Sequence, residues 1–276
     1  MIPRPATDTE GVPSVALQRR GPPGRVAGRG MRRLQVALGC LTILPFGPRD
    51  EVQESELGGS FLWFPLVGLL IGGVLVVAYV LTAQRVPPLV TGACVLLTWI
   101  ILTGAIHLDG FGDVCDGLYA GRTPAERLRI MKDPHMGAMA VVGLSALLLG
   151  KFALLSSLPR VAMMRALLLT PCVGRYAMVL LGTTLPYARS GPGTAAAFVR
   201  FAHPRALVAA TATILPVAWF ALEQLGVGLV VASMVTGLAL RSVFRRTLGG
   251  ITGDALGAAG ELTEVLMLFG VSLATG

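Results

Sequence analysis

Charge is scarce in this chain. Only 14% of its 276 residues are Asp, Glu, Lys or Arg, against 54% hydrophobic, and mean hydropathy is +0.72. A soluble domain carries roughly 25% charged residues, so the deficit excludes a water-soluble globule. Aromatic residues make up 6%, and no basic patch is interleaved with them. The formal charge of +8 therefore does not point to nucleic acid: seven of the twenty-three cations lie at or before Arg33, where they suit anionic headgroups. The four cysteines, Cys40, Cys94, Cys115 and Cys172, are scattered in mostly apolar context, which reads as small core residues rather than a disulfide framework or zinc site.

The start of the chain lacks periodicity as well. Residues 1–30 mix Pro, Gly and Arg without the apolar core of a signal peptide. They are expected to form a disordered basic tail, with Met31 an alternative start of translation, and residues 31–276 a single transmembrane catalytic domain.

What is abundant is long apolar sequence. Residues 61–82 and 86–106 are uncharged, each about 30 Å long as a helix and able to span the hydrocarbon. Further candidates are 136–158 (interrupted by Lys151), 166–186 (interrupted by Arg175), 206–222, 225–240 and a last one through 265–275. The expected fold is all-α, a polytopic membrane helix bundle of about seven spans. Residues 34–46 are apolar but too short to cross, and are expected along the interface or tucked against the bundle. Lys and Arg concentrate after the second, fourth and sixth spans. The positive-inside rule makes that side cytoplasmic, with the protein in the cell membrane.

Acids are rarer still, fifteen in all, and eight fall in two short segments: Asp109, Asp113, Asp116, Glu126 and Asp133 after the second span, and Asp254, Glu261 and Glu264 near the start of the last. Both segments are expected on the cytoplasmic face. On a helix, 109, 113 and 116 fall within an arc of about 60°, and 254, 261 and 264 within about 80°. Like charges at this spacing repel, and an Asp deep in a bilayer costs roughly 3 kcal/mol, so compensation is required. Oxygen ligands from two helices suit a hard divalent cation, Mg²⁺ or Mn²⁺, bridging carboxylates to substrate phosphates. Arg127, Lys132 and Arg175 are expected to grip phosphate oxygens. The blander alternatives are a solvated acidic face, an ion path through a transporter, a hydrogen-bonding role for His107, and a helix cap in Asp133 ahead of Pro134. Glycines 110, 112 and 117 lower helix propensity in the first acidic segment and allow close backbone approach.

The run His107-Leu108-Asp109-Gly110-Phe111-Gly112-Asp113-Val114-Cys115-Asp116-Gly117 resembles the H-L-D-G-x-x-D-x-x-D-G signature of the cobalamin synthase family, the adenosylcobinamide-GDP ribazoletransferases. Residues 129–133 (R-I-M-K-D) and 252–264 (T-G-D-A-L-G-A-A-G-E-L-T-E) resemble its later elements, and residues 34–45 its usual N-terminus. Departures are Cys115, where small residues are common, and Pro134-His135 in place of Ser-Arg. The resemblance implies Mg²⁺-dependent attack of a ribose hydroxyl of α-ribazole, or of its 5′-phosphate, on adenosylcobinamide-GDP with release of GMP. It implies metal ligands among Asp109, Asp113, Asp116, Asp254, Glu261 and Glu264. It implies catalytic roles for Asp109, Asp113, Asp116 and Glu261, and substrate contacts from His107, Arg127, Lys132 and Arg175. The bilayer is an expected partner and an oligomer stays open. CDP-alcohol phosphotransferases share an Asp-rich membrane helix, but their D-G-x-x-A-R is not matched, since Asp113-Val114 stands in place of Ala-Arg.

Overall fold

The computed structural model describes residues 26–191 and 194–275. Eleven helices and no strand occur among them. Helix α1 (Val26–Leu41) buries Val36, Ala37 and Leu41, so the short apolar segment of residues 34–46 tucks against the bundle. Residues 26–30, assigned by sequence to the tail, belong to this helix, and the rest of that tail lies outside the described residues. Helix α2 (Glu54–Ser60) opens on a reciprocal cap in which Glu56 accepts from the Gln53 amide at 3.0 Å. One tight turn at Phe61–Trp63 leads on into α3 (Phe64–Thr82).

Helix α4 (Pro88–Thr103) ends where Gly104 and Ala105 both take left-handed conformations, φ 62° and 56°. Helix α5 (Ile106–Ala120) leaves at 89° to it. The first acidic segment is therefore carried on a helix turned across the bundle rather than on a continuation of the span. Helix α6 (Pro124–Ile130) is short and begins at Thr123, whose hydroxyl accepts from the Glu126 amide. Helix α7 (Ala138–Ser157) precedes α8 (Arg160–Thr184), the most enclosed helix of the bundle, which packs against α3 and the two long C-terminal helices. Helix α9 (Thr194–Arg200), α10 (Pro204–Thr247) and α11 (Gly253–Thr275) complete the chain.

Five helical segments are long and apolar enough to cross a membrane, or six if the bent α4–α5 pair is one span. The difference from seven lies in α10, where the sequence suggests two spans at 206–222 and 225–240. These are joined without a loop, the helix breaking only at Leu222 and Glu223, where φ reaches −136° and 52°. In a straight helix Thr211 and Arg241 would stand about 45 Å apart. Yet Thr211 meets Tyr176 and Arg241 meets the carbonyl of Thr184, positions only about 12 Å apart along α8. The chain reverses at the break, so α10 is a helical hairpin closed by a two-residue turn.

Candidate active site

Helices α5 and α11 cross at glycines. A Cβ on Gly110 would lie 2.7 Å from the Cα of Asp254, and one on Gly257 would lie 3.0 Å from the Cα of His107. Bare backbone at both points lets the two acidic elements touch. Asp254, in the first turn of α11, is thereby set beside α5. Asp109 is exposed, and Asp113 and Asp116 are half-buried. Asp113 stands within electrostatic reach of Asp109, Asp116, Asp254 and Arg189.

The four aspartates differ in what satisfies them. Both oxygens of Asp116 accept backbone amides at the start of α7, from Gly137 at 2.7 Å and Ala140 at 2.8 Å. This carboxylate caps a neighbouring helix, the role that sequence offered to Asp133. Asp133 instead accepts from the amide and ring of His135, which hold its carboxyl below the usual range. Asp254 pairs with Arg189 at 2.7 Å. No cation contacts Asp109 or Asp113 among the described residues. A cavity of about 200 Å³ opens over Asp109, Asp113 and Asp116 and is lined also by Met131, Lys132 and Asp133. Lys132 thus shares a cavity with the three aspartates.

Loop closure positions Arg189. The segments 186–188 and 251 zip together through two backbone bonds of 2.9 Å, Ile251 N to the Pro186 carbonyl and Ala188 N to the Ile251 carbonyl. This brings Arg189 onto Asp254 and onto the carbonyl of Met131. Arg189 lines a larger cavity of about 690 Å³ and donates to the carbonyl of Met131, a residue that lines the aspartate cavity. Its Nε is buried without a partner among the described residues.

Glu261 and Glu264 are not brought to the aspartates. They lie about 10 and 15 Å further along α11 from Asp254 and are buried. Lys151 of α7 donates to both, at 2.5 and 2.6 Å, and Arg175 of α8 pairs with Glu264. Lys151 also stacks on Trp99, 4.4 Å from the ring centre. A common arc of about 80° gave these acids the same direction as Asp254, but direction on a helix says nothing of depth. Arg175, expected on a phosphate, is thus a buried counter-ion. His107 is buried within electrostatic reach of Arg175 and Lys151. Arg127 is spent on carbonyls, donating to Gly121 and Thr247. Sequence reading did not assign Lys151 or Arg189 to either cluster.

Among the described residues no three His, Cys, Asp or Glu side chains close a metal shell. A magnesium ion does not need one, since it keeps several waters and commonly takes one or two carboxylates plus substrate phosphates. An all-oxygen set with two carboxylates lacking a cation fits that chemistry.

The chain is 34% identical to the adenosylcobinamide-GDP ribazoletransferase of Acetivibrio thermocellus, over 86% of this chain and 96% of that protein. It is 37% identical to the enzyme of that name from Syntrophobacter fumaroxidans, over 84% and 94%. The one from Desulfitobacterium hafniense is 38% identical, over 87% and 96%. No solved structure matches the chain. The model of the family described as cobalamin-5-phosphate synthase matches residues 33–272, both acidic elements included, and the chain belongs to this family of membrane transferases that act in cobalamin assembly.

Proposed function

We propose that this protein transfers the cobinamide phosphate moiety of adenosylcobinamide-GDP to a ribose hydroxyl of α-ribazole or α-ribazole 5′-phosphate, releasing GMP, at the cytoplasmic face of the cell membrane. The observation that carries the reading is the Asp109–Asp113 face, without a cation partner among the described residues, meeting Asp254 across the α5–α11 crossing, with Lys132 lining the same cavity as Asp109 and Asp113. The names of the relatives supply the two reactants, adenosylcobinamide-GDP and ribazole.

Mg²⁺, with Mn²⁺ as a substitute, suits Asp109, Asp113 and Asp254, with Asp116 at their side, and when bound supplies charge neutralisation on the diphosphate. Phosphoryl transfer asks the protein mainly for positioning and charge. Lys132 donates to phosphate oxygens from the lining of the same cavity. Arg189 holds Asp254 with one nitrogen and brings its positive charge beside the same diphosphate. The ribose oxygen forms its bond to the cobinamide-side phosphorus, the bridging P–O bond breaks toward GMP, and an aspartate of the face takes the hydroxyl proton. Glu261 and Glu264 contribute through packing, by fixing α11 against α7 and α8.

The test is conversion of adenosylcobinamide-GDP and α-ribazole by the purified full chain in detergent. Formation of cobamide and GMP, without sealed vesicles, supports the enzyme over a transporter. No product with either acceptor in the presence of Mg²⁺ rejects the reading.

A further inference from the structure

The larger cavity lies beside the reaction face, not on it. Its wall joins three elements: the 185–191 loop with Tyr187 and Arg189, α9 with Ala196 and Arg200, and the first residue of α2, Glu54. Arg189 is its only lining residue bonded to the aspartate face, through Asp254. The cavity holds about 690 Å³, within the roughly 300–1,000 Å³ usual for small-molecule sites.

Three features of the lining discriminate between ligands. Arg189, which lines the cavity and pairs with Asp254, brings a guanidinium to the end nearest the aspartates, suited to a phosphate oxygen. Tyr187 supplies an aromatic ring at the wall, a surface on which a purine stacks. Glu54 supplies a carboxylate, an acceptor-only group. Its nearest cation, Arg200, is 3.8 Å away and both side chains are mostly exposed, so the carboxylate is free to accept from a ligand.

We infer that this cavity binds the guanine nucleotide portion of the donor, with the phosphate at Arg189 and the guanine N1–H and N2–H₂ edge on Glu54. The inference rests on the proposed reaction and deepens it. The other two moieties fit the lining poorly. A benzimidazole base carried by a ribazole has no N–H to give a carboxylate, and a corrinoid with its macrocycle, amide arms and upper ligand exceeds the volume. With the nucleotide here, Arg189 places the diphosphate over Asp254 and directs GMP away from the incoming hydroxyl.

The experiment is calorimetric titration of the full chain in detergent with GMP, IMP, AMP and, separately, α-ribazole. The expected affinity order is GMP, then IMP, which lacks the N2 amino group, then AMP, which lacks both donors. Glu54→Gln is expected to weaken GMP at least tenfold and bring it level with IMP. Ala196→Trp, which fills the cavity, is expected to abolish GMP binding while leaving α-ribazole binding in place. Unchanged GMP affinity in Glu54→Gln overturns the inference, as does loss of α-ribazole instead of GMP in Ala196→Trp. If Ala196→Trp fails to fold, the exposed Glu54→Gln decides alone. Ordered GMP binding in a chain that makes no cobamide keeps the site and rejects the reaction. Turnover with a donor KM indifferent to Glu54→Gln keeps the reaction and rejects the site.

Discussion

Arg189 Nη2 lies 2.7 Å from Asp254 Oδ2 and donates also to the carbonyl of Met131. One guanidinium thus ties the loop before α9 to the start of α11 and the end of α6. A lysine at this position keeps the charge but loses the planar fork. Arg189→Lys is expected to lower kcat/KM for the donor by about 10- to 100-fold, the equivalent of a charge-assisted hydrogen bond of roughly 1.5–3 kcal/mol, and Arg189→Ala by more. Steady-state kinetics with varied donor measure this, and wild-type kcat/KM in both variants contradicts it.

Asp113 has charged neighbours but no direct cation partner among the described residues. Asp113→Asn removes a repulsive charge, so the variant is expected to insert and melt like the wild type or slightly higher while GMP release falls by orders of magnitude. Release of GMP at the wild-type rate rejects Asp113 as part of the reaction centre.

Among the described residues Lys151 is the only cation touching both Glu261 and Glu264. Lys151→Met strands buried negative charge, and breaking such a pair costs about 3–5 kcal/mol. The expected result is a large fall in melting temperature, partly recovered when Glu261→Gln is added, because the two sites are in contact and couple. Simple additivity of the two substitutions contradicts the network.

The glycine crossing makes a sharper geometric claim. Gly110→Ala sets a Cβ 2.7 Å from backbone of Asp254, whereas a Cβ on Gly73 of α3 meets nothing within 4 Å. Gly73→Ala is expected to be neutral or stabilising by up to about 1 kcal/mol, as for Gly to Ala within a helix. Gly110→Ala is expected to push α5 off α11 and reduce both melting temperature and activity. Equal behaviour of the two variants in a thermal melt with activity assay refutes the close crossing.

How far the sequence carried these features varies with their physics. Apolar runs such as residues 61–82 announce spans because lipid demands them, whereas the close crossing at Gly110 and Gly257 was not read from the sequence, where small residues point equally to room for a ligand. Depth was harder to read. A helical arc records the direction of Asp254, Glu261 and Glu264 but not that the two glutamates sit turns deeper, beside Lys151 and Arg175. A signal for that pairing was present: charges interrupting residues 136–158 and 166–186 need partners inside a bilayer, and the only deep acids are on α11. The break at Leu222 and Glu223 has no Gly or Pro, but it was marked in the sequence by the end of one apolar run at 222 and the start of the next at 225, with Glu223 between them; periodicity did not register that the two helices join without a loop. Arg189 reaches Asp254 through pairing of two loops far apart in sequence, which periodicity does not register.

The central claim is that the aspartate face holds the divalent ion that the reaction uses. Its most direct test is Mn²⁺ titration of the purified chain by electron paramagnetic resonance, with GMP release followed in the same samples after EDTA and after metal is restored. The account predicts a bound Mn²⁺ signal and metal-dependent GMP release in the wild type, and loss of both in the Asp109→Asn, Asp113→Asn double variant. Release that persists through chelation, or Mn²⁺ bound equally well without the two carboxylates, would contradict it.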